Sequence, residues 1–374
     1  MPTSVGARGK EQSELLSTTG MTTRIAIVLF NLGGPDSPEA VRPFLFNLFN
    51  DPAIIGLPAL LRTPLAAFIS RRREAKAKGI YDLMGGRSPI LPNTEAQARR
   101  LMDALLEHPG GGDAEIRCYI AMRYWHPLTE ARVAEVKDFA PTQVILLPLY
   151  PQFSTTTTGS SHGAWMKAAK AQGLTAPHRL ICCWPTQPGF IEAAAALIRD
   201  GLSGAHAAAP LARPLLLLSA HGLPKKIVAA GDPYVAQVEA SAAAIAGRLG
   251  LAAEDWIICY QSRVGPLEWV GPATDTVIAK AAKDGRAIVV FPIAFVSEHS
   301  ETLVELDIEY RHLAEQNKAA AYVRVPTVST HPSFIAGLAD LVRGALAQGA
   351  AVQDGSGRDA CANASRCACK AVSG

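Results

Sequence analysis

The chain has 374 residues, of which 49% are hydrophobic and 18% charged, so its composition excludes a disordered protein and allows two domains of ordinary size. The formal net charge of +3, from 36 basic and 33 acidic residues, is too small to indicate a nucleic-acid partner.

Residues 1–23 are polar and mixed in charge, which predicts a flexible N-terminal extension without a secretion signal or a membrane span. Met21 is a second candidate for the start of the chain. The seven cysteines are an odd number in a chain without a secretion signal, which is typical of a reducing compartment. We therefore expect a soluble, cytoplasmic protein.

Short apolar runs alternate with Ala-rich helical segments along the chain. Near-continuous hydrophobic runs are typical of strands that are covered on both faces. The predicted strands are residues 24–31, 143–149, 214–219, 256–260 and 287–292. The predicted helices are residues 94–106, 128–139, 234–249, 274–283 and 333–346. This alternation predicts parallel sheets wrapped by helices.

The pattern occurs twice, which predicts an α/β protein with two similar Rossmann-like lobes, each a parallel β-sheet flanked by helices, and a cleft between them. The predicted divisions are an N-terminal lobe at 24–180, a C-terminal lobe at 181–330, a C-terminal helix packing across the lobes at 331–348, and a flexible Cys-containing tail at 349–374. Polar loops follow the strands that end near residues 149 and 219. Ligands bind at the carboxyl ends of parallel strands, so these loops are expected to face the cleft.

His221 follows the predicted strand at 214–219, within the segment Ser-Ala-His-Gly-Leu-Pro. A neutral imidazole can bind a borderline metal and can accept a proton near neutral pH. A loop histidine with a purely structural hydrogen bond would fit the same position. The sequence at this residue favours neither the functional nor the structural role.

Three glutamates, Glu301, Glu305 and Glu309, are spaced four residues apart after the predicted strand at 287–292. On a helix they form one acidic stripe, in which like charges are mutually destabilising. Such a stripe is useful if it guides a cation or passes protons. The spacing alone favours the simpler interpretation, an exposed acidic helix face.

A basic cluster follows the apolar stretch at 52–69: Arg71, Arg72, Arg73, Lys76 and Lys78. Apolar surface beside cations suits a flat, apolar ligand with carboxylate arms, or contact with a membrane interface. A solvated helix end is the third interpretation. The Gly85-Gly86 pair lets the backbone approach a ligand closely, but it lacks the pattern of a phosphate loop.

Seven segments resemble the ferrochelatases in order along the chain, from about residue 24 to residue 346. They are NLGGPD at 31–36, GGRSPI at 85–90, MRYWHPLT at 122–129, LPLYPQFS at 147–154, SAHGLP at 219–224, YQSRVGP at 260–266 and FPIAFVSEHSETL at 291–303. The resemblance, which is to the proteobacterial type, implies an enzyme that inserts ferrous iron into protoporphyrin IX. The products are protoheme and two protons, in the last step of heme biosynthesis.

The resemblance also implies roles for site residues. His221 and Glu301 match the pair that faces across the porphyrin cleft, binding iron and handling protons. His299 matches the neighbouring histidine, expected to relay protons or support the pair. Glu305 and Glu309 match the acidic ladder, so the implied metal-binding set is His221, Glu301, Glu305 and Glu309.

The porphyrin pocket of the family implies seven substrate-binding residues. Basic side chains that hold propionates match Arg73 and Lys76, and hydroxyls that do so match Ser88 and Ser262. Other positions that line the pocket match Tyr81, Arg123 and Tyr124. Leu32 stands where relatives often have methionine, so its expected contribution is bulk.

The tail contains Cys361, Cys367 and Cys369. Several ferrochelatases bind a [2Fe–2S] cluster with tail cysteines, and four thiolates are the usual requirement. Where some relatives have a fourth cysteine, this chain has Thr155. The residues alone leave Cys118, Cys182, Cys183 and Cys259 open as the fourth ligand, and leave open whether a cluster is present.

Two alternative functions share these features. A related chelatase would insert cobalt or nickel into another tetrapyrrole, and a porphyrin or heme carrier would keep the cleft but would not need Glu301 and its stripe. A hydride-transfer enzyme is disfavoured because no Gly-x-Gly-x-x-Gly follows the first strand. Resemblance to the proteobacterial type favours protoporphyrin over coproporphyrin. Peripheral membrane contact and the oligomeric state stay open.

Overall fold

The computed structural model describes residues 23–107, 114–263, 265 and 267–347, together with the backbone of 352–354. The strands are β1 (Arg24–Asn31), β2 (Glu115–Met122), β3 (Gln143–Pro148), β4 (His178–Cys183), β5 (Pro214–His221), β6 (Trp256–Gln261), β7 (Ala287–Pro292), β8 (Ala321–Arg324) and β9 (Val352–Asp354). Every pairing between neighbouring strands is parallel.

The strands form two sheets with the same internal order. The first is β2-β1-β3-β4-β9 and the second is β6-β5-β7-β8, so in each the second strand along the chain lies outside the first. This confirms the predicted pair of Rossmann-like lobes. In both sheets the order reverses beside the first strand, and the carboxyl end of that strand is where doubly wound folds bind ligands. In the second sheet that end is His221.

Helices cover both sheets. They are α1 (Val41–Phe49), α2 (Ala59–Asp82), α3 (Ile90–Glu107), α4 (Thr129–Phe139), α5 (Thr158–Gln172), α6 (Pro188–Ala208), α7 (Lys225–Ala229), α8 (Tyr234–Leu249), α9 (Thr274–Lys283), α10 (Tyr310–Gln316) and α11 (Pro332–Ala347). A π-helix (Glu301–Glu309) precedes α10, and a short 3-10 turn (Ala253–Asp255) precedes β6. None of the described helices is long and apolar enough to cross a membrane.

The apolar runs form strands because helices bury them on both faces. All six residues of β7 are buried, and so is β1 beyond its first residue. The predicted bounds of β1, β7, α8 and α9 agree with the structure to the residue. Helix α3 begins at Ile90, four residues earlier than predicted. Pro92 is tolerated in its first turn because the backbone N–H that proline lacks would have no intrahelical partner there.

Strand β5 also extends further than predicted. It continues to His221 because Ala220 and His221 pair with Tyr260 and Gln261 of β6. The histidine is therefore the last residue of a strand, held by the sheet, rather than part of the loop that follows. The predicted acidic helix is present as a π-helix, a rare conformation that is frequent at functional sites.

Helix α11 lies between helices of the two sheets, against α3 on one side and α6 on the other. It approaches α6 closely at two glycines. A Cβ at Gly189 would lie 2.2 Å from the Ser333 carbonyl oxygen, and one at Gly337 would lie 2.2 Å from Gln187 Oε1. At Gly189 the obstacle is backbone, so only glycine allows the two helices to pack at this separation there.

The last described segment returns to the first sheet. Within the predicted tail, β9 pairs in parallel with β4, and Asp354 lies opposite Cys183. An edge strand leaves backbone donors and acceptors unpaired, and a further strand satisfies them. The tail cysteines, at 361, 367 and 369, lie outside the described residues, as does the N-terminal extension at 1–22.

Candidate active site

The most prominent polar contact of the second lobe joins His221 and Glu301. His221 ends β5, Glu301 begins the π-helix, and the imidazole Nδ1 lies 2.8 Å from the carboxylate Oε2. The side chains are 38% and 28% exposed, so the pair is partly sheltered but remains accessible to a ligand. Two residues 80 positions apart in the chain thus form one unit.

Burial and mutual attraction act in opposite directions on this pair. Burial alone would lower the pKa of His221, but the negative charge and hydrogen bond of Glu301 outweigh it, so the pKa of His221 is raised above 6.5. Burial would raise the pKa of Glu301, and His221 outweighs it there too, holding that pKa at about 2. The pair is therefore an ion pair below the raised pKa of His221, and above that pKa it offers a neutral imidazole as a base.

Glu305 lies one turn further along the π-helix and accepts four hydrogen bonds. Its Oε1 accepts from the backbone N–H of Ser262 at 2.8 Å and from the Tyr310 hydroxyl at 3.0 Å. Its Oε2 accepts from the Ser262 hydroxyl at 2.5 Å and from Gln261 Nε2 at 3.1 Å. Burial and the charge of Glu301 nevertheless raise the pKa of Glu305. Glu305 therefore holds a proton more readily than Glu301 does.

Ser262 and Gln261 orient this carboxylate. Ser262 has a φ of +62°, a left-handed conformation that costs energy for a residue with a side chain, and that aims both its N–H and its hydroxyl at Glu305. Gln261 also donates to the carbonyl of Glu301 at 2.9 Å, while its Oε1 accepts from the Ser219 hydroxyl at 2.8 Å. The Ser262 hydroxyl, predicted to bind a propionate, is thus engaged by Glu305.

A cavity of about 300 Å³ opens beside Glu305, with Ser262, Tyr310 and Asp275 among its walls. Glu305 therefore lines this cavity, four residues along the π-helix from Glu301. Glu309, the third glutamate, is exposed at the end of the π-helix. In the part of the chain that the structure describes, no three His, Cys, Asp or Glu side chains are grouped as a closed metal site.

His299 is buried next to the pair. Its Nδ1 lies 3.0 Å from the carbonyl oxygen of Ser297, and its ring packs on Phe295 with the centroids 4.6 Å apart. Its Nε2 faces Glu301 Oε2 at 3.9 Å, which is too long for a hydrogen bond. The imidazole is therefore fixed on one side and directed at the Glu301 carboxylate on the other.

Two tyrosines complete the surroundings of the pair. Tyr81, at the end of α2 in the first lobe, is hydrogen-bonded to Ser300, and burial raises its pKa to about 12. Tyr234, at the start of α8, is buried and is hydrogen-bonded to the backbone of His221. Sequence reasoning missed Tyr234, because a buried tyrosine at a helix start looks like any core aromatic residue.

The basic side chains predicted to bind propionates lie on α2, which also carries Tyr81. Arg73 stacks over the ring of Phe49 at 5.6 Å, and Lys76 is exposed. Ser88 is buried, and its backbone N–H donates to the carbonyl of Pro35 at 2.7 Å. A Cβ at Gly34 would lie 2.6 Å from Ser88, so glycine is required for the two loops to meet.

Arg123 and Tyr124 are joined to a residue that sequence reasoning missed. The carboxylate of Asp51, 3% exposed, accepts from Arg123 Nη2 at 2.7 Å and from the Tyr124 hydroxyl at 2.8 Å. The Arg123 Nε donates to the Ser160 hydroxyl at 2.7 Å, and Tyr124 is fully buried. Arg123 and Tyr124, both predicted to line the pocket, thus anchor the start of the 51–58 segment. No sequence motif identifies Asp51 as their partner.

The candidate fourth cluster ligands lie in different places. Burial raises the pKa of Cys118 on β2, and that of Cys259 on β6, to about 12. Cys182 and Cys183 end β4, with their Sγ atoms 3.2 Å apart. Thr155, at the position of a cysteine in some relatives, donates its backbone N–H and its hydroxyl to Asp232, each at 2.7 Å.

Known proteins resemble this chain over most of its length. The Ferrochelatase family model matches residues 24–346. The ferrochelatase of Caulobacter vibrioides is 55% identical over 94% of this chain and 99% of its own, and that of Phenylobacterium zucineum is 54% identical over 93% and 98%. The structure of SirB from Bacillus subtilis with Fe3+ has a TM-score of 0.50 at 12% identity, covering 87% of this chain and 96% of SirB; it is similar in fold alone. The chain therefore belongs to the ferrochelatase family, enzymes that insert ferrous iron into a porphyrin for heme synthesis.

Proposed function

We propose that the protein inserts ferrous iron into protoporphyrin IX in the cleft beside His221 and Glu301. The observation that carries this proposal is the 2.8 Å contact between these two side chains at the carboxyl end of β5. A base and a carboxylate at the binding end of a parallel sheet can remove protons from a ligand and hold an incoming cation.

The chemistry requires two protons to leave as one metal ion enters. Free-base porphyrin carries two pyrrole N–H groups, and its rigid ring directs the nitrogens poorly at an ion outside the plane. Contacts in the cleft that pucker the ring would lower the barrier, because binding energy is then used in the transition state. In its neutral form His221 accepts one pyrrole proton or transiently binds iron, Glu301 supplies an oxygen ligand, and His299 supports Glu301.

Glu305 and Glu309 form the route for iron or protons in this proposal. Glu305 has a raised pKa and borders the cavity of about 300 Å³, so a proton that leaves the pair can pass through it towards solvent. Few protein ligands on the iron are an advantage here, because a closed tetrahedral site would retain the ion. Iron is a substrate and has to leave in the product.

The first lobe would hold the porphyrin. Arg73 and Lys76, both on α2, would bind propionates, and Tyr81 and Ser88 would line the same side of the pocket. Arg123 and Tyr124 would act through Asp51, by anchoring the 51–58 segment at the cleft. Ser262 would act through Glu305. We propose that the lobes divide just after β4, a few residues beyond the predicted boundary at 180, with α11 packed across them.

An anaerobic assay tests the proposed function. The purified protein is mixed with protoporphyrin IX and ferrous iron, and absorbance follows the conversion of porphyrin to heme. Catalytic loss of free porphyrin is expected. Tight binding without turnover would instead indicate a carrier, and turnover only with cobalt or with coproporphyrin would indicate a different chelatase.

An apolar lip, defined here as Leu57, Leu60, Leu61, Leu65 and Phe68, lies at the start of α2. Its side chains are large and exposed, with Leu60 at 86% and Phe68 at 62%. The exposed cations Arg71, Arg72 and Lys76 follow on the same helix. We propose that the lip contacts a bilayer peripherally, since apolar side chains beside cations are suited to anionic lipid surfaces.

Replacing the tips of the lip tests this contact. The double variant Leu60→Ser/Phe68→Ser is expected to lose most of its binding to vesicles of phosphatidylcholine and phosphatidylglycerol in a sedimentation assay. Leu211→Ser is the matched control, because Leu211 is fully exposed on a distant loop and is expected to leave binding unchanged. Equal binding by the wild type and the double variant would exclude the lip.

We further propose a [2Fe–2S] cluster held by Cys361, Cys367, Cys369 and Cys183, the last residue of β4. Pairing of β9 with β4 brings residue 354 alongside Cys183, seven positions before the first tail cysteine. Cys118 and Cys259 are less suitable, because β2 lies at the opposite edge of the first sheet from β9 and β6 belongs to the second sheet. The cluster would stabilise the return of the tail.

Cysteine variants provide the test. Cys361→Ser and Cys367→Ser are expected to remove visible absorbance and acid-labile sulfide from the protein purified without oxygen, whereas Cys118→Ser is expected to retain both. A colourless wild-type protein without sulfide, or loss of both signals in Cys118→Ser, would contradict this ligand set. The readout is independent of iron insertion.

A further inference from the structure

The segment that carries Glu301 and Glu305 has a conformation that needs external support. A π-helix is rare, and Glu301–Glu309 forms one over nine residues. Uncommon backbone conformations persist only where the surrounding structure holds them in place. The contacts behind this helix therefore determine where its carboxylates lie.

Arg324, the last residue of β8, contacts both sides of this segment. Its Nη1 donates to Glu298 Oε1 at 2.6 Å, and its Nη2 lies 3.4 Å from Asp307 Oδ2. Glu298 lies three residues before Glu301, and Asp307 lies two residues after Glu305. One guanidinium, with its side chain only 11% exposed, thus brackets the span that carries both carboxylates.

The two partners of Arg324 differ in their other contacts. Glu298 Oε1 also accepts the backbone N–H of Thr327 at 3.0 Å, whereas Glu298 Oε2 is buried without a hydrogen-bond partner in the described chain. Asp307 has a second cation, Arg311, whose Nη2 lies 2.6 Å from Oδ1. Loss of Arg324 would therefore leave Glu298 as a nearly buried, uncompensated charge.

A second residue of the same strand contacts the helix. The Tyr322 hydroxyl donates to the carbonyl of Leu306 at 2.5 Å, and Arg311 stacks over the Tyr322 ring at 5.3 Å. Arg324, however, makes no hydrogen bond or ion pair with His221, Glu301 or Glu305 within the described ranges. Its influence on them is exerted through the backbone of the segment.

We propose that Arg324 is a positioning residue for metal insertion, which bridges Glu298 and Asp307 and thereby holds Glu301 at His221 and Glu305 at Ser262. The inference rests on the proposed function of the His221–Glu301 pair. A guanidinium is required because two of its nitrogens reach separate carboxylates, whereas the ammonium of lysine is a single point of charge.

The variant Arg324→Lys tests the inference because it keeps the charge and the fold. We expect kcat for iron insertion to fall by about 10- to 100-fold, as for other small misplacements of catalytic groups. The KM for protoporphyrin and the melting temperature are expected to stay near wild type. In Arg324→Ala, added guanidinium ion is expected to restore part of the lost kcat.

Arg311→Lys is the matched control, since Arg311 pairs with Asp307 but does not reach Glu298, and its kcat is expected to stay near wild type. If Arg324→Lys inserts iron with the kcat of the wild type, the inference about Arg324 is wrong, and the proposed function is unaffected. A parallel loss of kcat, porphyrin affinity and melting temperature would also overturn it, because that is the signature of general destabilisation. A wild-type protein that inserts no iron would overturn both this inference and the proposed function.

Discussion

His221→Ala is expected to lower kcat for iron insertion by about 10²- to 10⁴-fold, the usual contribution of a positioned acid or base. The imidazole lies at the end of β5 in contact with Glu301, and alanine provides neither a proton acceptor nor a metal ligand. Porphyrin binding is expected to persist, because the proposed propionate contacts lie on α2. The measurements are anaerobic turnover and, separately, quenching of porphyrin fluorescence.

The control for this variant is His206→Ala, which removes an exposed histidine on α6, away from the cleft. It is expected to turn over like the wild type. Turnover of His221→Ala close to that of the wild type would refute the proposed mechanism. If His221→Ala loses both porphyrin binding and turnover, His221 contributes to substrate binding and not to proton transfer.

Glu301→Gln is expected to reduce kcat severely while leaving the size of the side chain unchanged. The amide oxygen can still accept a hydrogen bond from His221, but the negative charge that attracts a cation is lost. The variant therefore separates charge from shape. Glu315→Gln, an exposed change on α10, is the matched control and is expected to have no effect.

The same variant has an expected pH signature. The charge of Glu301 raises the pKa of His221 against the effect of burial, so without that charge burial dominates and the pKa falls. A step that needs neutral imidazole gains rate as pH rises through this pKa, and in Glu301→Gln that rise should move to lower pH. An unchanged profile of kcat against pH would contradict the coupling.

The contribution of the His221–Glu301 pair to the stability of the folded protein depends on pH. The lowered pKa of Glu301 contributes stability above its unfolded value of about 4.5, which is lost as pH falls towards 2. The raised pKa of His221 contributes stability below its unfolded value of about 6.5, which is lost as pH rises through the folded value. Glu301→Gln should therefore lower the melting temperature most between about pH 4.5 and 6.5, and least above the folded pKa of His221.

Much of the fold could be predicted because the signals are local. The apolar runs that became β1 and β7 are continuous, short and bounded by turn residues, so strands buried on both faces follow from their length alone. Helix α2 was not predicted as one element. Its apolar first half is exposed, and therefore it lacks the amphipathic period by which a surface helix is recognised.

The candidate site could be predicted only in part. Motif resemblance indicated His221 and Glu301, and the structure brings those two side chains together at 2.8 Å. It did not indicate Asp51 or Arg324, because an isolated acidic or basic residue outside a motif has no distinguishing sequence pattern. For Arg123, the resemblance indicated a pocket position but did not indicate the ion pair with Asp51.

By itself the sequence determined the alternation of strands and helices, the repetition of that pattern in two lobes and the identity of the residues that can hold protons or iron. These are properties of periodicity, residue chemistry and motif order, all of which are local in the chain. Only the tertiary structure decided that Gln261 and Ser262 orient Glu305, and that Arg324 joins Glu298 to Asp307. Those contacts join residues 17 to 44 positions apart, and they depend on how β6, β8 and the π-helix pack, which no local pattern specifies.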